Sequence, residues 1–258
     1  MNETMYMWSG SSEPHLDQPH IERFGAISIG RYGGNIRAGA DKNEDGLLVL
    51  NSPEGSWEFA MVVDAHTSSE SAEQVLRAIA DIRHEIEAVL RGGIADTFTG
   101  LEAKVDAMFR SQSFLERSQS IRGECSCLIV CRKGRYVWWY SVGDCMLFVL
   151  HPDFTAFGQT MLNQRHFYEW IGRENTFNDA VPCYSKGTTR LRPGNNVILM
   201  ATDGFVEPGI AYIDAIKEWT RIGTPQALEQ RMDDFLRHLH EVGTKDSTTL
   251  LAWSVTDA

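Results

Sequence analysis

Apolar residues fall into short runs separated by turn residues along most of the chain. GAISIGRYGG (25–34), GLLVL (46–50) and WEFAMVV (57–63) read as three strands. After Asp64 the period lengthens. Val75, Ile79, Ile82, Ile86 and Val89 recur at helical spacing and predict one amphipathic helix, with Thr67 and Glu70 as its capping box and Gly92-Gly93 as its stop. Leu101, Val105, Met108 and Phe109 predict a second helix.

CSCLIVC (125–131), YVWWYSV (136–142) and CMLFVL (145–150) then predict an antiparallel meander, with RKGR and Gly143-Asp144 as its hairpin turns. A short helix is expected around NQRHFYEWIG (163–172), followed by a loop through ENTFNDAVPCYSKG (174–187). NVILMA (196–201) predicts a strand running to Asp203-Gly204. Thr224-Pro225 opens a helix with Leu228, Met232, Phe235 and Leu239 on one face, and TLLAWSV (249–255) is the last strand. Strands and helices segregate in blocks, which favours an α+β fold with antiparallel sheets over a doubly wound one.

Residues 1–24 are polar and rich in Ser, Pro and His, so they are expected to form a loosely packed N-terminal arm before one domain over 25–258. The formal charge of −11 disfavours nucleic acid and anionic membranes as partners and makes cations the natural ligand. No segment reaches the roughly 18 apolar residues of a membrane span. Five cysteines, three of them (Cys125, Cys127, Cys131) within one apolar run, suit a reducing compartment, and a cytoplasmic location is expected.

Candidate chemistry lies at the strand ends. Glu44 and Asp45 precede GLLVL, Asp64 follows WEFAMVV, Asp203 follows NVILMA and Asp246 precedes TTLLAWSV. Singly, each reads first as a structural helix cap or turn residue. Gathered at one rim they would repel one another until a cation neutralised them, and hard oxygen ligands select Mg²⁺ or Mn²⁺. The cysteines and histidines lack the spacing of a zinc site.

In this order NED (43–45), VVDAH (62–66), SVGDC (141–145), MATDG (200–204) and KDSTTLLAW (245–253) resemble the motifs of the metal-dependent serine/threonine protein phosphatases of the 2C type, and GECSCLIV (123–130) resembles a further family strand. The resemblance implies a four-layer α-β-β-α sandwich of two antiparallel sheets, with two Mn²⁺ or Mg²⁺ ions, and a third as an open alternative, at one edge. It implies that Asp64 bridges two metals and the Ala65 carbonyl serves one of them. Asp203 and Asp246 hold the other, Glu44 and Asp45 act through metal-bound waters, and Asp144 is structural. A hydroxide bridging the metals would attack a phosphoserine or phosphothreonine of a phosphoprotein substrate, with His66 as general acid.

The sequence departs from the family at three places. Ala65 stands for the usual glycine, Ser247 for the usual asparagine, and Ala40 for the arginine that anchors phosphate, which leaves Arg37 and Lys42 as candidate anchors. Two alternatives follow: a phosphatase-like regulatory or binding protein with impaired turnover, and a hydrolase of a small phosphorylated metabolite. The segment from His151 to Ser185 occupies the family's variable flap. Its aromatics (Phe154, Phe157, Phe167, Tyr168, Trp170, Phe177, Tyr184) are expected to form a hydrophobic subcore, with a substrate-selecting lid as the alternative. Nothing in the sequence marks an oligomeric state.

Overall fold

The computed structural model describes residues 4–209 and 216–257. The first sheet contains β1 (Met5–Ser9), β4 (Gly46–Asn51), β5 (Trp57–His66), β6 (Glu124–Lys133), β7 (Tyr136–Val142) and β10 (Ser185–Arg190) in the order β1-β4-β5-β6-β7-β10, with the short β9 (Ile171–Gly172) against β6. The second runs β2-β3-β12-β11-β8, formed by β2 (His20–Phe24), β3 (Ile27–Tyr32), β8 (Met146–Leu150), β11 (Gly194–Ala201) and β12 (Thr248–Asp257). All pairings between these strands are antiparallel.

The two sheets pack face to face, and side-chain alternation divides each strand between two cores. Leu47 and Val49 of β4 join Val62, Leu128, Ile198 and Trp253 between the sheets. Leu48 and Leu50 point outward to α1 (Glu70–Asp81), α2 (Arg83–Arg91), α3 (Ile94–Phe109) and α4 (Gln112–Ser120). On the far side, α5 (Pro225–Val242) lays Leu228, Met232, Leu236 and Leu239 over Tyr32, Leu199 and Leu250. Strands buried on both faces read as unbroken apolar runs, which is why GLLVL shows no alternation. The four-layer α+β sandwich implied by the resemblance is the observed architecture.

Several local expectations are corrected. Residues 5–9 and 20–24 are not a loose arm: β1 pairs with β4 and β2 with β3, each as an edge strand. The helix expected over 75–89 breaks at Ile82, so that α1 packs on the sheet and α2 on α3. Thr67 cannot cap it, because its φ is +77° and the N-cap is Ser69; Glu70 pairs with Arg122 instead. Gly143-Asp144 is not a hairpin turn, since β8 leaves the first sheet and pairs with β11 in the second. No helix forms over 163–172, where Ile171 and Gly172 pair with β6, and the loop expected over 174–187 ends in β10. The N-terminal turn of α5 is as expected, with Thr224 Oγ1 accepting from Ala227 N at 3.2 Å and Gly243 closing the C-terminus at φ +77°. Among the described residues no helix is long and apolar enough to cross a membrane.

Candidate metal centre and active site

Register brings the acids together. Gly46 pairs with Val63, so the Glu44-Asp45 turn lies beside the end of β5, while Asp64 itself pairs with Ser126 at the start of β6. Cys127 pairs with Val142, which puts Gly143-Asp144 at the same edge. In the second sheet Ala201 pairs with both Leu250 and Met146, so Asp203, Asp246 and Asp144 emerge side by side. Antiparallel pairing thus delivers five chain segments to one rim. Gly204 allows the closest of these approaches, since a Cβ there would lie 2.0 Å from the Ser247 carbonyl.

Asp64, Asp144 and Asp203 each place a carboxylate oxygen within 4.8 Å of the others. Glu44 Oε1, Asp64 Oδ2, Asp144 Oδ1 and Asp203 Oδ1 are buried and accept no hydrogen bond among the described residues. Burial, then the charges of Asp45 and Asp203, push the Asp64 carboxyl well above its ordinary range. Burial and Asp203 also raise Asp144, against the pull of Arg165 and His66. Asp246 is raised to about 8 by desolvation, then by Asp203, Asp45 and Glu207, although part of its residue surface faces the groove. Unpaired buried carboxylates of one sign are costly, and a hard divalent cation is the ligand that relieves them. The donor set is all oxygen and fits Mg²⁺ or Mn²⁺.

Asp45 is different. Its carboxylate is fully buried and accepts from Thr249 Oγ1 at 2.7 Å, Ser247 Oγ at 2.9 Å and Thr202 Oγ1 at 3.0 Å. Burial lifts it to about 6, while the three hydroxyls hold it down. Asp45 therefore ties β4 to the ends of β11 and β12. Beside the acids lies a groove of about 450 Å³ whose lining includes Ala40, Lys42, Glu44, His66, Glu207 and Asp246.

Solved structures share this architecture. The chain matches a bacterial serine phosphatase at 16% identity and TM-score 0.64, covering 93% of this chain and 100% of that one. It matches the S. agalactiae serine/threonine phosphatase at 14% and 0.62, covering 92% and 100%. RsbX, solved in complex with magnesium, matches at 14% and 0.55, again over 92% and 100%. No family model matches the chain, and no curated protein matches it. The fold is that of the bacterial 2C-type serine/threonine phosphatases.

On this 2C-type fold each expected site residue has a definite place. Asp64 and Asp203 lie in the acid cluster, Glu44 offers a partnerless oxygen at its margin, and Asp246 lines the groove. Ala65 lies within β5 and has no positive φ, so its extended backbone needs no glycine. His66 Nδ1 is 3.9 Å from Asp64 Oδ1, and its ring meets the edge of Trp170 at 4.9 Å. Lys42 pairs with Glu44 at 2.7 Å and donates to the Thr67 carbonyl at 3.2 Å. Arg37 sits on an exposed 3-10 turn (Ile36–Ala38) and is not among the groove residues.

Two residues escaped the sequence reading. Asp144, expected to be structural, is a member of the acid cluster, because its turn carries the chain from one sheet to the other across the site. Glu207 accepts from the backbone N–H groups of Lys245 at 3.0 Å and Asp246 at 2.6 Å, fixing the loop that presents Asp246. The aspartate in SVGDC was a legible signal for the first. Glu207 had none, since its partners lie 38 and 39 residues away.

Proposed function

We propose that the chain is a divalent-cation-dependent phosphomonoesterase that hydrolyses phosphoserine and phosphothreonine in proteins. The observation that carries this reading is the set of four partnerless carboxylate oxygens at one edge of the sandwich, beside His66. Asp64, Asp144, Asp203, Asp246 and Glu44, with the Ala65 carbonyl, would hold two Mn²⁺ or Mg²⁺ ions. When bound, such a pair supplies positive charge for the phosphate and activates a water as the nucleophile.

The chain's own residues do the rest. His66, with its side chain 37% exposed at the rim, directs Nδ1 toward Asp64, which leaves Nε2 to give a proton to the departing alkoxide. Trp170 packs against the imidazole and limits its rotation. Lys42, at the groove mouth with its side chain 53% exposed, is a cation placed to meet phosphate where Ala40 supplies none. A lysine offers a point charge in place of a bidentate fork, so phosphate is held less rigidly than by arginine.

Mn²⁺-dependent hydrolysis of an aryl phosphate and of a phosphopeptide tests the reading, with Asp64→Asn and Asp203→Asn as controls. Turnover by the wild type that both substitutions abolish is the expected result. His66→Gln is expected to slow the phosphopeptide, whose alkoxide needs a proton, by about 10²-fold or more, and the aryl ester far less. Ala40 favours a second reading, a binding protein with impaired turnover. Tight Mn²⁺ binding with no turnover beyond that of the variants supports it. Hydrolysis of small phosphate esters in preference to phosphopeptides points to a metabolite as substrate.

A further inference from the structure

The aromatics of the 151–185 segment divide into two sets. Phe177 is buried, Tyr184 packs against the helix-side core, and Phe154 packs against the core between the sheets. Phe167 and Tyr168, adjacent in sequence, are 58% and 88% exposed. They stand near the acid site on a backbone fixed at both ends. On one side Arg165 donates through Nε to the Asp144 carbonyl at 2.9 Å, and His166 N donates to the Gly143 carbonyl at 2.8 Å. On the other, Trp170 meets His66, and its carbonyl accepts from Thr176 N at 2.9 Å.

From this we infer that Phe167 and Tyr168 form an aromatic ledge that grips an apolar side chain of the phosphorylated polypeptide. The inference rests on the phosphatase reading and names the substrate feature the site selects. Two observations carry it. Tyr168 holds φ +70°, a left-handed conformation that a bulky residue rarely adopts, in a tight turn that glycine would form without strain. The Arg165 guanidinium lies 4.7 Å over the Phe167 ring while also facing Asp144 Oδ2 at 3.4 Å, so the ring is pinned to the acid cluster and still shows a face to water. Rigid, solvated aromatic faces next to a reaction centre suit an apolar contact on the substrate.

Geometry also sets the spacing. Two residues of backbone separate Tyr168 from Trp170, a reach of at most ~7 Å. Trp170 in turn lies 4.9 Å from the His66 ring, and an extended peptide rises about 3.3 Å per residue, so the gripped side chain falls within about four positions of the phosphorylated residue.

The test uses phosphoserine peptides of Gly and Ser carrying a single Leu two, three or four positions to either side, with a Leu-free peptide as reference. Both kcat/KM with Mn²⁺ and fluorescence anisotropy of the labelled peptides are measured. Wild type is expected to prefer one Leu peptide over the reference by about 10-fold or more. Tyr168→Gly, which suits the backbone, and Phe167→Ser are each expected to bring that ratio close to one. The ratio is internal to each variant, so a general loss of rate cancels. A wild-type preference absent at every position, or one that survives both substitutions, overturns the ledge. If wild type turns over no phosphate ester, the phosphatase reading fails, and the anisotropy ratio alone decides the ledge.

Discussion

Strand β5 carries a buried carboxylate near each end, and the fold treats the two in opposite ways. Glu58 lies opposite Arg132 on β6 and meets its Nε at 2.6 Å, with a second contact to Nη2 completing a bidentate pair. The remaining guanidinium hydrogens reach the Gly55 and Ser56 carbonyls at 3.0 and 3.1 Å. Burial raises the Glu58 carboxyl, and Arg132 pulls it back. At the other end Asp64 lies opposite Ser126, and the charges that act on it most are those of further carboxylates. A chain that can neutralise a buried acid with a matched arginine gives Asp64 none among the described residues, and Asp144 of the same cluster only the longer 3.4 Å contact to Arg165. The contrast separates structural charge from charge kept for a ligand.

Breaking each end should give opposite signatures. Asp64→Asn is expected to cut cation-dependent turnover by more than the roughly 100-fold typical of an outer-shell change. The same substitution should stabilise the cation-free protein by at least about 1 kcal/mol, because it removes one of several crowded charges. Activity assays and thermal unfolding, read together, check both signs. Glu58→Gln should destabilise by about 3 kcal/mol, with or without cation, since Arg132 is left buried against a neutral partner. Denaturant unfolding of the two variants side by side measures the difference.

A smaller effect is expected at Glu207. Removing its carboxylate in Glu207→Ala frees two backbone N–H groups and loosens Asp246, which should weaken Mn²⁺ binding by about 10-fold while leaving the fold intact. Titration calorimetry reads that change.

The last effect is a pH slope. Asp64, Asp144 and Asp246 all have folded-state carboxyls raised above their unfolded range, Asp246 to about 8. The folded state therefore binds more protons than the unfolded one between the ordinary carboxylate range and pH 8, and this contribution to stability is lost as pH rises through that window. Cation-free protein should lose melting temperature across it, and Asp246→Asn should lose less. A saturating divalent cation should reverse the trend, because it binds the deprotonated cluster.

Strands buried on both faces were legible because apolar runs such as GLLVL and NVILMA, bounded by turn residues, fit a doubly covered strand and are too short for a helix. The acids at their ends were legible only as a set, since each alone passes for a cap or a turn residue and it is their order along the chain that points to one rim. Edge strands were not. Apart from the buried Trp8, MYMWS and HIERF mix half-buried and exposed positions and pair on one side only, so their pattern resembles a polar tail. Asp144 was misjudged on similar grounds, because Gly-Asp makes the same local turn whether the next strand returns to its own sheet or crosses to another. The break at Ile82 was also hidden, since the apolar spacing of α1 and α2 continues in phase across it.

The most direct test of the account is Mn²⁺ binding by isothermal titration calorimetry, comparing wild type with Asp64→Asn and Glu58→Gln. Saturable binding by wild type and by Glu58→Gln, lost or weakened at least about 100-fold in Asp64→Asn, is the result expected if the crowded oxygens exist to hold cations. Equal binding by all three proteins, or none by the wild type, would contradict it.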